Sequence, residues 1–199
     1  MKTILLREII QCSDEQKRSI RILRNQNFIR KSMFTDHEIK LEEHLNWLKC
    51  VEADDGRIIF VVLADDITSG VVSLNSIDKI NSRAHWAFYL SKNLQGGFGA
   101  VLEFHFISFV FEHLSLSKLN CEVIETNEAV LSLHKKFGFV KENFVPEAII
   151  RNDRKMGIYS LGLTKFDWEQ NVDDIKCRYQ RLINKFHVVI EYDKNRYPI

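Results

Sequence analysis

A glycine-rich turn followed by an apolar segment is the part of the chain best suited to bind a phosphate. Glycine lets backbone N–H groups approach an anion without a Cβ in the way. The first turn of a helix adds unpaired N–H donors and a partial positive charge. Together they predict an anion site at the start of a helix. The turn is Gln95-Gly96-Gly97-Phe98-Gly99-Ala100, and the apolar segment runs from Val101 to Leu114.

The glycine spacing excludes two common nucleotide-binding patterns. Neither G-x-G-x-x-G nor G-x-x-x-x-G-K-[ST] occurs in the chain. The turn also lies in the middle of the chain, after several strand-like segments, rather than in an N-terminal βαβ unit. The predicted anion site therefore does not belong to a dinucleotide-binding or P-loop protein.

In and around a second segment lie side chains that can donate or accept protons. The pattern N-x-x-x-L-x-L-x-x-x-x-G-F extends from Asn127 to Phe139 and contains His134. A neutral imidazole donates a hydrogen bond, and an imidazolium, with an ordinary pKa near 6.5, donates a proton. Glu125, just before this segment, and His85, on an earlier predicted strand, are the two candidates for accepting a proton, through a water molecule.

The order of these segments resembles the GNAT superfamily of N-acetyltransferases, and the resemblance covers roughly residues 4–168. It implies acetyl-CoA as the cofactor, with its pyrophosphate on the glycine turn and direct attack of an amine on the thioester. Gly97 and Gly99 match the two glycines of the family pattern R/Q-x-x-G-x-G/A, whereas its first position falls on Leu94. The position of the family's tyrosine acid holds His134, which the resemblance implies as the donor to the leaving thiolate; the alternative donors are water or a tyrosine elsewhere in the chain.

The same resemblance implies the contacts to acetyl-CoA. In the family, the strand that here spans Ala84 to Leu90 splays from the strand Leu119 to Ile124, and the pantetheine arm pairs with the exposed backbone. Asn127 is expected both to cap its helix and to touch the pantetheine arm. The implied contacts are Phe88, Tyr89, Leu90, Asn127 and the six turn residues Gln95, Gly96, Gly97, Phe98, Gly99 and Ala100.

The resemblance of the N-terminal third of the chain to known proteins implies which molecule accepts the acetyl group. Arg24-Asn25, Met33 and Glu42-Glu43-His44 resemble one GNAT branch, which includes ribosomal-protein N-terminal acetyltransferases and nucleotide-sugar amine acetyltransferases. Within it, the combination is most similar to the N-acetyltransferases of pseudaminic acid biosynthesis. This implies the 4-amino group of a UDP-linked 4-amino-4,6-dideoxy sugar as acceptor. The residues implied for the acceptor pocket are Arg24, Asn25, Met33, His44 and Ser73.

Two other function classes stay open at this point. One is a peptide N-terminal acetyltransferase, and the other is a non-catalytic module that binds CoA, because the usual tyrosine is replaced by His134. The balance of charged residues also limits the classes of binding partner. The chain has 28 Lys and Arg against 27 Asp and Glu, which gives no electrostatic basis for nucleic acid or a membrane surface as partner.

The remaining expectations concern metal, compartment and assembly. Four cysteines without a C-x-x-C pair predict neither a zinc site nor a disulfide framework, so no metal is expected. Charged residues within the first eight positions do not fit a signal peptide, and a cytoplasmic protein is expected. Residues 1–168 are predicted as the acetyltransferase domain, and residues 169–199 as an appendage packed on that domain or at a homodimer interface.

The elements that must position these residues indicate an α+β fold. Hydrophobic periodicity predicts the order β-α-α-β-β-β-α-β-α-β-β, with a mostly antiparallel sheet of about seven strands. The resemblance to the GNAT superfamily implies that this sheet splays in the middle. Ser13 and Thr35 are the predicted N-caps of the first two helices. Leu41, Leu45 and Leu48 form the predicted apolar face of the second helix, and a late helix is predicted over Val172 to Phe186.

Overall fold

Within residues 1–94 and 96–197, which the computed structural model describes, eight strands form one mixed sheet and six α-helices flank it. The prediction made for Gln95 lies outside the described residues. The strands are β1 (Lys2–Glu8), β2 (Ile58–Ala64), β3 (Ile67–Asp78), β4 (Arg83–Leu90), β5 (Lys118–Ile124), β6 (Val140–Arg151), β7 (Arg154–Thr164) and β8 (Phe186–Glu191). The helices are α1 (Asp14–Arg24), α2 (Asn27–Arg30), α3 (Leu41–Ala53), α4 (Phe98–His113), α5 (Glu128–Lys136) and α6 (Lys165–Ile183).

The strand order across the sheet is β6-β7-β5-β4-β3-β2-β1-β8. The pairs β4–β5 and β1–β8 are parallel, and the other neighbours are antiparallel. The predicted α+β fold with a mostly antiparallel sheet is therefore confirmed. The count exceeds the predicted seven because β8 adds a strand beside β1.

The predicted splay lies between β4 and β5. The two strands pair only at Arg83–Lys118, Ala84–Leu119 and His85–Asn120. Beyond these pairs β5 continues to pair with β7 up to Ile124, whereas β4 continues to pair with β3 up to Leu90. The facing edges of β4 and β5 therefore have no strand partner beyond this point, and a gap opens between them.

Helix α4 is the centre of the larger core. Its side chains are buried almost all round, as its apolar sequence predicts. Phe106 contacts Phe60 of β2 and Trp86 of β4, with ring centroids 5.8 and 5.9 Å apart. No helix in the described part of the chain is both long enough and apolar enough to cross a membrane.

One of the two predicted N-caps is confirmed and the other is wrong. Ser13 and Gln16 form a capping box at α1, with reciprocal hydrogen bonds of 3.2 and 3.0 Å. Thr35 begins no helix, because its carbonyl oxygen accepts a hydrogen bond from Arg24 Nη2 at 2.9 Å. The Asn25 side chain also binds the backbone N–H and carbonyl of Ile39, at 2.9 Å each, and α3 starts only at Leu41.

The buried face of α3 differs from the predicted one. Leu41 and Leu45 are 50% and 44% exposed, and the buried residues are His44, Leu48 and Val51. Both sets have the spacing i, i+4, i+7, so periodicity alone cannot choose between them. The choice depends on the partner face, which α1 and β2 provide.

The C-terminal helix is longer than predicted. α6 begins at Lys165, capped by the Thr164 hydroxyl, which accepts from the Asp167 N–H at 3.1 Å. The side chain of Trp168 is buried and packs on Phe104 of α4, with ring centroids 5.9 Å apart. The predicted boundary between residues 168 and 169 falls inside α6, and the division into a domain and an appendage stays a prediction.

Leu48 and Leu45 offer a matched test of the α3 packing. Leu48→Ala removes a buried side chain and should lower the free energy of unfolding by about 2–4 kcal/mol. Leu45→Ala, one turn away and largely exposed, should cost less than about 1 kcal/mol. Urea denaturation of the two variants measures both values. Equal losses would show that the outward face of α3 is also buried.

Candidate active site

The gap between β4 and β5 forms a cavity of about 450 Å³, here called the central cleft. Its lining includes residues of α2, α4 and α5. The predicted site residues that line it are Met33, Phe88, Tyr89, Leu90, Gly96, Gly99, Asn127 and His134.

The glycine turn lies at the end of the cleft where α4 begins. Its backbone conformation requires glycine at two positions. Gly96 and Gly97 have φ values of +96° and +108°, a region that other L-residues rarely adopt. A Cβ on Gly96 would meet no atom within 4 Å, so the backbone there is open to a ligand. Phe98 and Ala100 point into the core, which leaves only their backbone to face an anion.

Two polar side chains at the cleft form no side-chain hydrogen bond with another described residue. Asn127 occupies the N-cap position of α5 but makes no cap hydrogen bond, because its ψ of 62° is not that of a capping residue. The prediction that the Asn127 side chain caps the helix is therefore wrong, whereas its place in the cleft leaves it available to a ligand. The indole Nε1 of Trp86 is buried without an acceptor. Open backbone, free donors and the turn together fit the pantetheine and pyrophosphate of CoA.

His134 is bound to a carboxyl group that the sequence analysis did not identify. Its Nδ1 lies 2.9 Å from Oε1 of Glu103, and both side chains are buried. Three rings surround the imidazole, those of Trp86, Phe88 and Phe139. The one available signal for Glu103 was an acidic residue inside an otherwise apolar helix, where an unpaired charge is costly.

The buried pair retains protons. Burial alone would lower the pKa of His134, but the charge of Glu103 and interactions with Cys121 outweigh it and raise the pKa to about 10. Burial raises the pKa of the Glu103 carboxyl as well. The proton between Nδ1 of His134 and Oε1 of Glu103 can belong to either residue. In both cases Nε2 of His134 carries a hydrogen. The Nε2–H group of His134 is therefore a hydrogen-bond donor at the cleft across the whole neutral pH range.

The two proposed bases lie in different surroundings. Glu125 follows β5, and its Oε1 accepts a hydrogen bond from the Gly157 N–H at 2.6 Å. The neighbouring residues Ile124 and Asn127 line the central cleft. His85 is exposed on the part of β4 that still pairs with β5, and it lines neither the cleft nor the second cavity described next.

A second cavity of about 270 Å³, here called the side pocket, lies between the sheet and helices α1 and α3. It brings together three residues implied for the acceptor, Arg24, His44 and Ser73. Tyr89 lines both cavities, so the side pocket adjoins the central cleft. Asn25 and Met33 are not part of the side pocket. The Asn25 side chain is occupied by Ile39, and Met33 lines the central cleft.

Arg24 and His44 present different groups to the side pocket. Arg24 Nη2 binds the Thr35 carbonyl, while its Nη1 is buried without a hydrogen-bond acceptor. His44 Nε2 lies 2.8 Å from the Lys17 carbonyl oxygen, to which it donates. Burial lowers the pKa of His44, so its ring is neutral and Nδ1 is left as an acceptor.

Comparison with known proteins identifies the family. Residues 12–157 match the family model described as acetyltransferase (GNAT) domain. The chain therefore belongs to the GNAT family, and it is an N-acetyltransferase that uses acetyl-CoA, as the sequence predicts.

Individual relatives are more distant. Acetyltransferase PseH of Campylobacter jejuni is 28% identical over 136 residues, which are 68% of this chain and 84% of that protein. The putative ribosomal N-acetyltransferase YdaF of Bacillus subtilis is 25% identical over 118 residues, 59% of this chain and 64% of that protein. A crystal structure of spermidine N-acetyltransferase from Vibrio cholerae, in complex with CoA and spermine, superposes with a TM-score of 0.75. It is 23% identical, covers 83% of this chain and 98% of that chain, and shows the shared fold.

The pH dependence of turnover tests the buried pair. With a pKa of about 10, His134 stays protonated as the pH rises, so kcat should not fall with a histidine-like pKa. Glu103→Gln removes the anion, so burial then lowers the pKa of His134 below its ordinary value near 6.5, and kcat should already decline as the pH rises toward neutrality. The profiles are measured at saturating substrates. Parallel profiles for the two proteins would contradict a role of Glu103 in holding the proton.

Substitution of His134 tests its contact with the reaction. His134→Gln keeps a polar partner for Glu103 but cannot donate a proton at neutral pH, so kcat should fall about 10²-fold. Affinity for CoA, measured by calorimetry, should change little. His113→Gln, on the exposed end of α4, is the control. His134→Tyr restores the family residue but leaves the Glu103 carboxyl unpaired, so it should be active only together with Glu103→Leu.

Proposed function

We propose that the protein acetylates the 4-amino group of a UDP-linked 4-amino-4,6-dideoxy sugar in nonulosonic acid biosynthesis of the pseudaminic type. The observation that carries this proposal is the side pocket, which adjoins the central cleft at Tyr89 and contains the unpaired Nη1 of Arg24. Acetyl-CoA binds in the central cleft, and the nucleotide part of the acceptor binds in the side pocket.

The groups of the side pocket suit a nucleotide diphosphate. A buried guanidinium N–H without an acceptor favours a phosphate oxygen, with which arginine forms charge-assisted hydrogen bonds. Trp47 and His44 stack with ring centroids 5.5 Å apart and provide a flat surface for a pyrimidine. Glu43 also lines the pocket, but its carboxylate is bound to His37 at 2.9 Å.

The α2 side of the central cleft suits a deoxy sugar. It is lined by Phe28, Ile29, Met33 and Phe34, which offer apolar surface to a sugar methyl group. A polyamine would need several carboxylates, and Glu122 is the one acidic residue among the described residues that line the cleft. The Vibrio cholerae structure shares the fold at 23% identity and supports no common acceptor.

The mechanism assigns proton transfers to groups at the cleft. Acetyl-CoA supplies the activated acetyl thioester, and the acceptor amine displaces the thiol directly. His134 donates the proton that the leaving thiolate needs, and Glu103 holds His134 in the protonated form. Glu125 takes the proton from the amine through a water molecule, while the Gly157 N–H fixes the orientation of its carboxylate.

An acceptor panel with thiol release as the readout tests the proposal. Turnover is expected with UDP-linked 4-amino-4,6-dideoxy sugars. None is expected with spermidine or with peptides that carry free N-termini. Turnover of ribosomal-protein N-terminal peptides alone would favour the function in the name of the Bacillus subtilis relative.

Arg24 provides the matching substitution. Arg24→Gln removes the charge in the side pocket, so KM for the UDP-sugar should rise about 10- to 100-fold, the effect of losing a charged hydrogen bond. Affinity for acetyl-CoA should stay the same. Arg18→Gln, exposed on the same helix, is the control for net charge. Thr35→Ala tests whether loosening the loop that Arg24 holds has the same effect. An equal loss in both variants would assign Arg24 to the loop and contradict a contact with the diphosphate.

A further inference from the structure

The glycine turn of this chain has no cation of its own. The position where the family pattern has Arg or Gln holds Leu94, which is 3% exposed and packed in the core. Helix α4, which starts at the turn, contains no lysine or arginine. The turn therefore offers backbone N–H groups to the pyrophosphate and, within the residues described, no charged side chain. CoA carries a further phosphate, the dianionic 3′-phosphate of its ribose, which needs a cationic partner.

The C-terminal end of α6 packs directly on this turn. Leu182 Cδ2 lies 3.1 Å from the point where a Cβ on Gly97 would sit. Just beyond α6, Phe186 packs against Phe98, the first residue of α4, with ring centroids 5.0 Å apart. Tyr179 stacks on Phe137, the residue that ends α5, at 5.1 Å. The last turns of α6 thus lie where α4 begins and α5 ends, in a segment beyond the family match at residues 12–157.

This end of α6 is rich in unpaired cations. Arg178 lies one turn before Leu182 on α6. Lys185 follows the C-cap Asn184, its N–H donates to the Leu182 carbonyl at 3.0 Å, and it directly precedes Phe186. Arg178 Nη1 reaches the carbonyl oxygen of Lys136 at 3.4 Å, which directs its guanidinium toward the end of α5. Neither Arg178 nor Lys185 forms a salt bridge with a carboxylate in the described part of the chain, and both are exposed.

We propose that Arg178 and Lys185 form the subsite for the 3′-phosphate of CoA. The backbone turn holds the pyrophosphate, and the last turns of α6 together with the residue after its C-cap supply the side-chain cations that the turn lacks. The subsite depends on acetyl-CoA as cofactor and is independent of which amine is acetylated.

A structural role predicts a different result. Cations near a helix C-terminus are stabilised by the helix dipole alone, without any ligand. In that case their loss lowers the stability of the free protein and changes the binding of all CoA derivatives equally. A phosphate subsite instead discriminates between CoA and dephospho-CoA, which lacks the 3′-phosphate.

Calorimetric titration with CoA and with dephospho-CoA separates the two roles. The unmodified protein should bind CoA more tightly. Arg178→Gln should weaken CoA binding about tenfold, as expected for one charged hydrogen bond, and leave dephospho-CoA binding unchanged. Adding Lys185→Gln should bring the two affinities close together. Lys176→Gln, exposed on the far side of α6, is the matched control and should change neither affinity. Thermal unfolding without ligand verifies the fold. An unchanged ratio of the two affinities in the double variant would overturn the proposal.

Discussion

Three residue pairs hold β4 to β5, and beyond His85 and Asn120 the two strands separate while each stays paired on its other side. Two backbone edges are thereby exposed inside the molecule, where unpaired N–H and C=O groups are costly unless a ligand satisfies them. The glycine turn, His134 and the side pocket all take their positions from this gap. The position of the site therefore follows from the strand pairing. The functional side chains lie beside the strand edges that this pairing leaves open.

The larger apolar core, which is built around α4, contains two polar side chains buried next to each other. Glu103 enters this core from α4 and His134 from α5, so each satisfies the other where neither would be stable alone. One carboxyl oxygen, Oε2 of Glu103, still lacks a partner. The proposed role of His134 as a proton donor at the cleft would account for a core that keeps a pair at such a cost.

The sequence predicted most of the elements, because strand periodicity, turn residues and the glycine motif are local signals. It failed where the answer depends on a neighbour. Leu41, Leu45 and Leu48 had the right spacing, yet the adjoining elements select His44, Leu48 and Val51. Thr35 had the pattern of a cap, yet Arg24 and Asn25 hold its segment extended. Glu103 was missed because its place in an apolar helix signals a buried carboxylate but does not identify its partner, which comes from α5.

The packing of α6 on the glycine turn also affects the order of events during synthesis. Gly97 and the strands around it leave the ribosome long before Leu182 and Phe186, which support the turn. Until these residues follow, the turn lacks their support, and any sheet that the earlier strands form has an open ligand edge. Domains of this size commonly fold through such intermediates, whose unpaired edges favour aggregation.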